Sequence, residues 1–168
     1  MRKQLLFIAL LVAGTCLNSF SQQKTAKLFP DSLVQPRMRV IIDNDFGGDP
    51  DGLFELVQHL LSPSVEIRGI IGSHLRAGDG WDPSKESAAH AKQKIEEVLK
   101  IMNLGNVYPV YQGSNIALEN DSTAQRSDAA NAIVKEAMRD DTKLPLYVVC
   151  GAGLTDIASA YLLEPKIA

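Results

Sequence analysis

The 168-residue chain predicts an α/β fold: an open, mostly parallel sheet with helices on both faces. Two observations carry this expectation. Short apolar, β-branched runs recur along the chain. Amphipathic helical stretches separate them. Strands that are apolar throughout are buried on both faces, and parallel strands need crossover connections, usually helical.

The elements follow in order. Arg39 to Ile42 is the first strand. Asp49 to Leu61 is a helix, because Leu53, Leu56, Val57, Leu60 and Leu61 recur at helical spacing. Asp49 suits its N-cap and Pro50 its first helical position, and Ser62-Pro63 ends it. Val65 to Ile71 is the second strand, followed by a glycine-bearing loop through Trp81. Ser84 to Met102 is a long helix with Ala88, Ala91, Ile95, Val98, Leu99 and Met102 on one face. Val107 to Tyr111 is a short third strand. Asn115 to Arg126 is a polar loop, and Asp128 to Arg139 is a helix. Leu144 to Cys150 is the fourth strand, and Gly153 to Leu163 the last helix.

Residues 1–21 have the form of a signal peptide. Arg2 and Lys3 precede an apolar stretch, Leu5 to Ala13, which is short for a bilayer span. Ser19-Phe20-Ser21 places small residues where a peptidase cuts, before Gln22. The alternative is a lipoprotein anchored at Cys16. Either reading exports the chain, as a secreted or periplasmic protein or on a lipid anchor. Residues 22–38 read as an N-terminal arm. Without residues 1–21 the chain carries 15 basic and 20 acidic residues, a charge of −5, and Cys150 is its one cysteine. No intramolecular disulfide can form. Cys150 lies in an apolar run and reads as a buried small hydrophobe. There is no basic stripe of the kind nucleic-acid binders carry.

The chemistry concentrates in Asp43-Asn44-Asp45-Phe46-Gly47-Gly48-Asp49-Pro50-Asp51. Four carboxylates fall within nine residues at the end of the first strand. Carboxylates so close repel one another and are expensive to desolvate. A cation or a hydroxyl-rich ligand resolves the conflict. Capping accounts for Asp49 and Asp51 as well as a ligand does, since acids belong at the positive end of a helix. It does not account for Asp43 and Asp45. A hard cation does, since Ca²⁺ takes six to eight oxygen ligands. Open parallel sheets bind ligands beyond the carboxyl ends of their strands. Two further loops lie there: Gly72 to Trp81, and Cys150 to Asp156.

Asp43-x-Asp45-x-Gly47-x-Asp49 resembles the signature of the inosine/uridine-preferring nucleoside hydrolases. Leu146 to Ala158, LYVVCGAGLTDIA, is similar to that family's later strand and glycine turn, and Pro109-Val110-Tyr111-Gln112-Gly113 to its short Pro-Val-x-x-Gly strand. The resemblance covers residues 39–168. It implies hydrolysis of the N-glycosidic bond of ribonucleosides to base and ribose with bound Ca²⁺, as in purine and pyrimidine salvage. It implies that Asp45 is a metal ligand and the base that activates water, and that Asp43 supports it. Asp49 would bind ribose hydroxyls. Asp51 and the backbone carbonyl of Gly151, or of Cys150, would complete the metal shell. The expected partners are a small-molecule nucleoside and, in an oligomer, other copies of the chain.

The match is imperfect. Pro50 separates two aspartates that are adjacent in the family, and Gly52 follows, so either Asp49 or Asp51 could take the metal. Ser73 and His74 stand where the family commonly has an asparagine. His74 is a candidate substrate contact, set against the plainer reading of a solvent-exposed loop histidine. Trp81 could stack on a base or pack on its loop. His59 and His90 read as structural. Family members run to roughly twice this length within one domain. The chain is therefore expected to correspond to an N-terminal portion, without the family's C-terminal aspartate and histidine. Weak Ca²⁺ binding, low activity and an exposed sheet edge would follow.

Two other functions compete. Haloacid-dehalogenase-like phosphohydrolases also place Asp-x-Asp after a first parallel strand, with Mg²⁺, but Phe46-Gly47-Gly48 does not continue their pattern. A non-catalytic nucleoside or sugar binder is the third reading.

Overall fold

The structure, a computed structural model, describes residues 34–168. The signal segment, Cys16 and most of the N-terminal arm lie outside the described residues. Four strands, β1 (Met38–Asn44), β2 (Val65–Gly72), β3 (Val110–Gln112) and β4 (Leu146–Cys150), form one sheet in the order β3-β2-β1-β4. Every pairing is parallel. The α/β expectation holds. Four α-helices connect or follow the strands: α1 (Asp51–Leu60), α2 (Ser87–Ile101), α3 (Asp128–Ala137) and α4 (Thr155–Leu163). A 3₁₀ turn at Pro165–Ile167 comes last.

The helices cover both faces of the sheet. Val40 and Ile42 of β1 pack with Leu56 and Leu60 of α1 and with Ala91, Ile95 and Leu99 of α2. Ile41 faces the other way, with Ile71 of β2 and with Ala129, Ala130, Ile133 and Ala160 of α3 and α4. Adjacent strand residues point to opposite faces. A central strand apolar at every position therefore needs a helical layer on each side. No helix of the described residues is long and apolar enough to cross a membrane.

Several element ends shift inward from the sequence reading. The helix expected from Ser84 begins at Ser87. The preceding residues are held in side-chain turns, with Ser84 N donating to Asp82 Oδ1 and Glu86 N to Ser84 Oγ. Serine and aspartate compete with helix in this way. The third strand begins at Val110, not Val107, because only Val110, Tyr111 and Gln112 find partners on β2. In α1, Pro50 occupies the N-cap position and makes no side-chain cap. Asp49 lies one residue further out, and its Oδ1 accepts Asp51 N only at 3.4 Å. The expected Asp49 cap is thus a weak contact from outside the helix.

A polar staple closes the end of the sheet opposite the acidic loop. Arg39, at the start of β1, is buried and donates to Leu144 O, Glu136 O and Glu136 Oε1 at 2.9, 2.8 and 2.7 Å. Arg68 and Arg139 reach the same carboxylate oxygen. Burial pushes the Glu136 carboxyl up, but the three guanidinium groups outweigh it and hold the group below its ordinary range. β1, α3 and the approach to β4 are thereby tied at one point.

Candidate functional site at the carboxyl end of the sheet

The acidic loop leaves β1 at the centre of the sheet, between the ends of β2 and β4. Asp43 is still within the strand, opposite Ile71 and Cys150. It is fully buried. Its Oδ1 accepts the hydroxyl of Ser73, at the end of β2, while Oδ2 has no partner. Burial raises its carboxyl from 3.8 to about 7. The Ser73 hydrogen bond opposes this, and the charges of Asp156 and Asp45 add to it.

Asp45 is half-buried on the wall of a cavity of about 800 Å³. His74, Arg76, Asp79, Lys85 and Asn115 also line it. Partial burial raises the Asp45 carboxyl to about 6. Its own backbone N–H opposes the rise, and Asp49, Asp51 and Asp79 add repulsion. A hydrogen bond to Asp51 raises the exposed Asp49 carboxyl. Asp51 is exposed at the first turn of α1.

Of the two readings of His74, the plainer one, a solvent-exposed loop histidine, is corrected, and the candidate substrate contact lines the cavity. The ring is half-buried and bonded at both nitrogens. Nδ1 donates to Leu75 O at 2.9 Å, so in the neutral ring Nε2 accepts from Thr155 Oγ at 3.0 Å. His74 thus links the loop after β2 to the start of α4. Trp81 is exposed and lies outside the cavity lining. His90 pairs with Asp82 on the surface at 2.7 Å, and His59 bonds to Glu55 O within its own helix. Cys150 is half-buried rather than buried. Desolvation, with the negative charge of Asp43, Asp156 and Glu55, raises its thiol to about 11. A thiol so far from ionisation is a poor nucleophile.

The Cys150–Asp156 turn joins the acidic loop through Gly151 N, which donates to Asp43 O at 2.9 Å. It also brings in a carboxylate the sequence reading treated only as part of a helix start. Asp156 is buried at the first turn of α4. Its Oδ1 accepts from Ser127 Oγ at 2.7 Å and Ser114 N at 3.1 Å, and its Oδ2 has no partner. Burial raises its carboxyl above the ordinary range. The hydrogen bonds from Ser127 and Ser114 oppose that. A Cβ on Gly113 would overlap Asp156 Oδ2, so this position after β3 has no room for a side chain. Nothing in the local pattern distinguished Asp156 from a common acidic first-turn residue.

The oxygens that surround the cavity are hard donors of the kind Ca²⁺ prefers. Among the described residues no three His, Cys, Asp or Glu side chains converge on one point. Comparison of the chain with protein-family models, curated sequences and solved structures returns no match.

Proposed function

We propose that this chain is the nucleoside-binding and water-activating part of an N-glycosidase, hydrolysing ribonucleosides to base and ribose. The observation that carries the reading is Asp45. It is a partly desolvated carboxylate beside a cavity of about 800 Å³ at the carboxyl end of a parallel sheet. Ligand cavities are ordinarily about 300–1,000 Å³.

Without a bound ion, a carboxyl drawn up to about 6 is ionised at neutral pH, and is a better proton acceptor than an ordinary aspartate. That suits a general base. Asp43 stands behind it, held by Ser73, and the charge of Asp45 helps to keep it near its neutral form. Asp49, exposed on the loop, has free acceptor capacity for sugar hydroxyls. Fixed acceptors would orient the ribose, and carboxylates would favour the positive charge that develops on the sugar as the glycosidic bond breaks. His74 lines the same cavity with Nε2 engaged by Thr155, so its contribution is to shape and polarity.

The donor set fits Ca²⁺ in kind. Asp45, Asp51 and the Gly151 carbonyl would hold it, with the rest of the shell from water. Bound there, the ion would lower the pKa of a coordinated water and offset the repulsion among the aspartates. Export through the 1–21 leader would put this chemistry outside the cytoplasm.

The test is incubation of the full chain with inosine, uridine and p-nitrophenyl phosphate, with Ca²⁺ or with chelator. Base release that disappears on chelation and in Asp45→Ala is the expected result. Phosphate release would replace this reading with the phosphohydrolase one. Saturable nucleoside binding without turnover would leave a binder.

A further inference from the structure

Asn44 is the last residue of β1 and is buried, 3% exposed. Its Nδ2 donates to Glu55 Oε2 at 2.6 Å, and its Oδ1 accepts Asp45 N at 2.8 Å. Only one orientation of the amide suits these neighbours. Reversed, its oxygen would face a carboxylate and its NH₂ would face an N–H.

The side chain occupies the gap between two glycines from distant parts of the chain. A Cβ on Gly52, inside α1, would lie 3.0 Å from Nδ2 and 3.3 Å from Cγ. A Cβ on Gly151, after β4, would overlap Nδ2 and come within 2.5 Å of Cγ. Neither glycine has a positive φ. Left-handed backbone explains neither glycine, so the constraint is one of space, tight at Gly52 and an outright overlap at Gly151. Gly52 stands in a helix, where glycine is disfavoured relative to alanine. Neither a cap nor a turn explains it, whereas the Asn44 amide does.

We infer that Asn44 is the positioning residue of this site, keyed between Gly52 and Gly151. It sets the spacing between the Asp45 loop, α1 and the Cys150–Gly151 turn. Its functional part rests on the proposed reading, in which a cation draws on both loops. Asn44 itself touches neither ion nor substrate. It acts through the Asp45 N–H, through Glu55 on α1, and through the shape it presents to Gly151. The same keying accounts for Gly52, a departure from the motif this loop resembles.

The test is a set of double-mutant cycles on the full chain: Asn44→Ala, Gly52→Ala and Gly151→Ala, singly and with each glycine change in the Asn44→Ala background. Two readouts are taken, thermal melting in chelator and Ca²⁺ affinity by titration calorimetry. Gly52→Ala is expected to lower the melting temperature of the wild type and to raise it in the Asn44→Ala background, a reversal of sign. Gly151→Ala is expected to be strongly destabilising beside Asn44 and tolerated beside alanine. Should Gly151→Ala fail to fold, the milder Gly52 cycle decides. Asn44→Ala is expected to weaken Ca²⁺ binding about tenfold or more, the scale seen when groups that orient metal ligands are removed. Asn44→Asp combined with Glu55→Gln, which restores a donor and an acceptor in the opposite sense, is expected to recover much of that loss. Additive melting shifts would overturn the keying. Unchanged Ca²⁺ affinity in Asn44→Ala would overturn the positioning role. A wild type that binds no Ca²⁺ would overturn the proposed function and the positioning role with it, while the melting cycles would still decide the keying.

Discussion

Ser73, at the end of β2, donates its hydroxyl to Asp43 Oδ1 on β1, and the other oxygen of that carboxylate is buried with no partner. A carboxylate satisfied on one side and stranded on the other is held closer to its neutral form. This is consistent with its rise to about 7.

That rise has a sign in stability. The unfolded carboxyl ionises near 3.8 and the folded one near 7. The folded state therefore holds the proton more tightly. Its stabilising share is fully present below about pH 4 and is lost as pH climbs to 7. Asp45, raised to about 6, acts in the same direction over a narrower window. In chelator, stability to urea is expected to fall between pH 4 and 7. Asp43→Asn should match the wild type near pH 4 and exceed it above pH 7 by on the order of 4 kcal/mol. A wild type that grows more stable across that range, with the variant unchanged, would refute the assignment.

Asp45 sets a second pH dependence. A base must be ionised to accept a proton, and Ca²⁺ on the same carboxylate favours the ionised form, so with Ca²⁺ bound nucleoside hydrolysis is expected to fall away only below the value of about 6 that the ion-free group shows. Asp45→Asn, which keeps the shape and removes the basicity, should lower kcat by about 10²–10⁴-fold. Initial rates from pH 4 to 8 check both. A profile with no loss at its acid end, or an Asp45→Asn variant with unchanged kcat, would remove Asp45 from that role.

Glu136 tests the staple at the other end of the sheet. Its side-chain oxygens serve Arg39, Arg68 and Arg139, and Arg39 is buried. Glu136→Gln keeps the volume and leaves the buried Arg39 guanidinium without its counter-charge. Breaking a buried pair in this way costs about 3–5 kcal/mol. Chemical denaturation measures the loss, and Ca²⁺ affinity should be unaffected if the variant remains folded.

Ser127 carries two duties. Its hydroxyl donates to Asp156 Oδ1 at 2.7 Å and accepts Ala130 N at 2.9 Å, as the N-cap of α3. Ser127→Ala removes the cap and takes a donor from a buried carboxylate. About 2 kcal/mol of stability should be lost. Restoring the hydroxyl with Ser127→Thr should recover most of it.

The sheet and its covering helices were legible in the sequence because burial on both faces leaves a simple mark. Val40-Ile41-Ile42 is apolar at every position, and the helices repeat their apolar residues at helical spacing. Element ends were less legible. Ser84 and Ser87 look alike in sequence, and only the side-chain bonds around Asp82 and Ser84 settle where α2 begins. The acids of the first loop stood out by their density. Asp156 did not, because one acid in a first turn is ordinary. Asn44 did not, because a single amide between two aspartates carries no pattern.

The chain alone therefore determined an α/β architecture and a concentration of carboxylates at a strand end, since both follow from local composition and periodicity. Tertiary structure decided which of those groups are buried, paired or left open. It put Asp156, Ser73 and Ser127 into the environment of the first loop and bound His74 to Thr155. It also set Asn44 between Gly52 and Gly151. These outcomes depend on contacts between residues up to 107 positions apart, between Asn44 and Gly151. Desolvation and steric exclusion act through space, and sequence spacing does not record them.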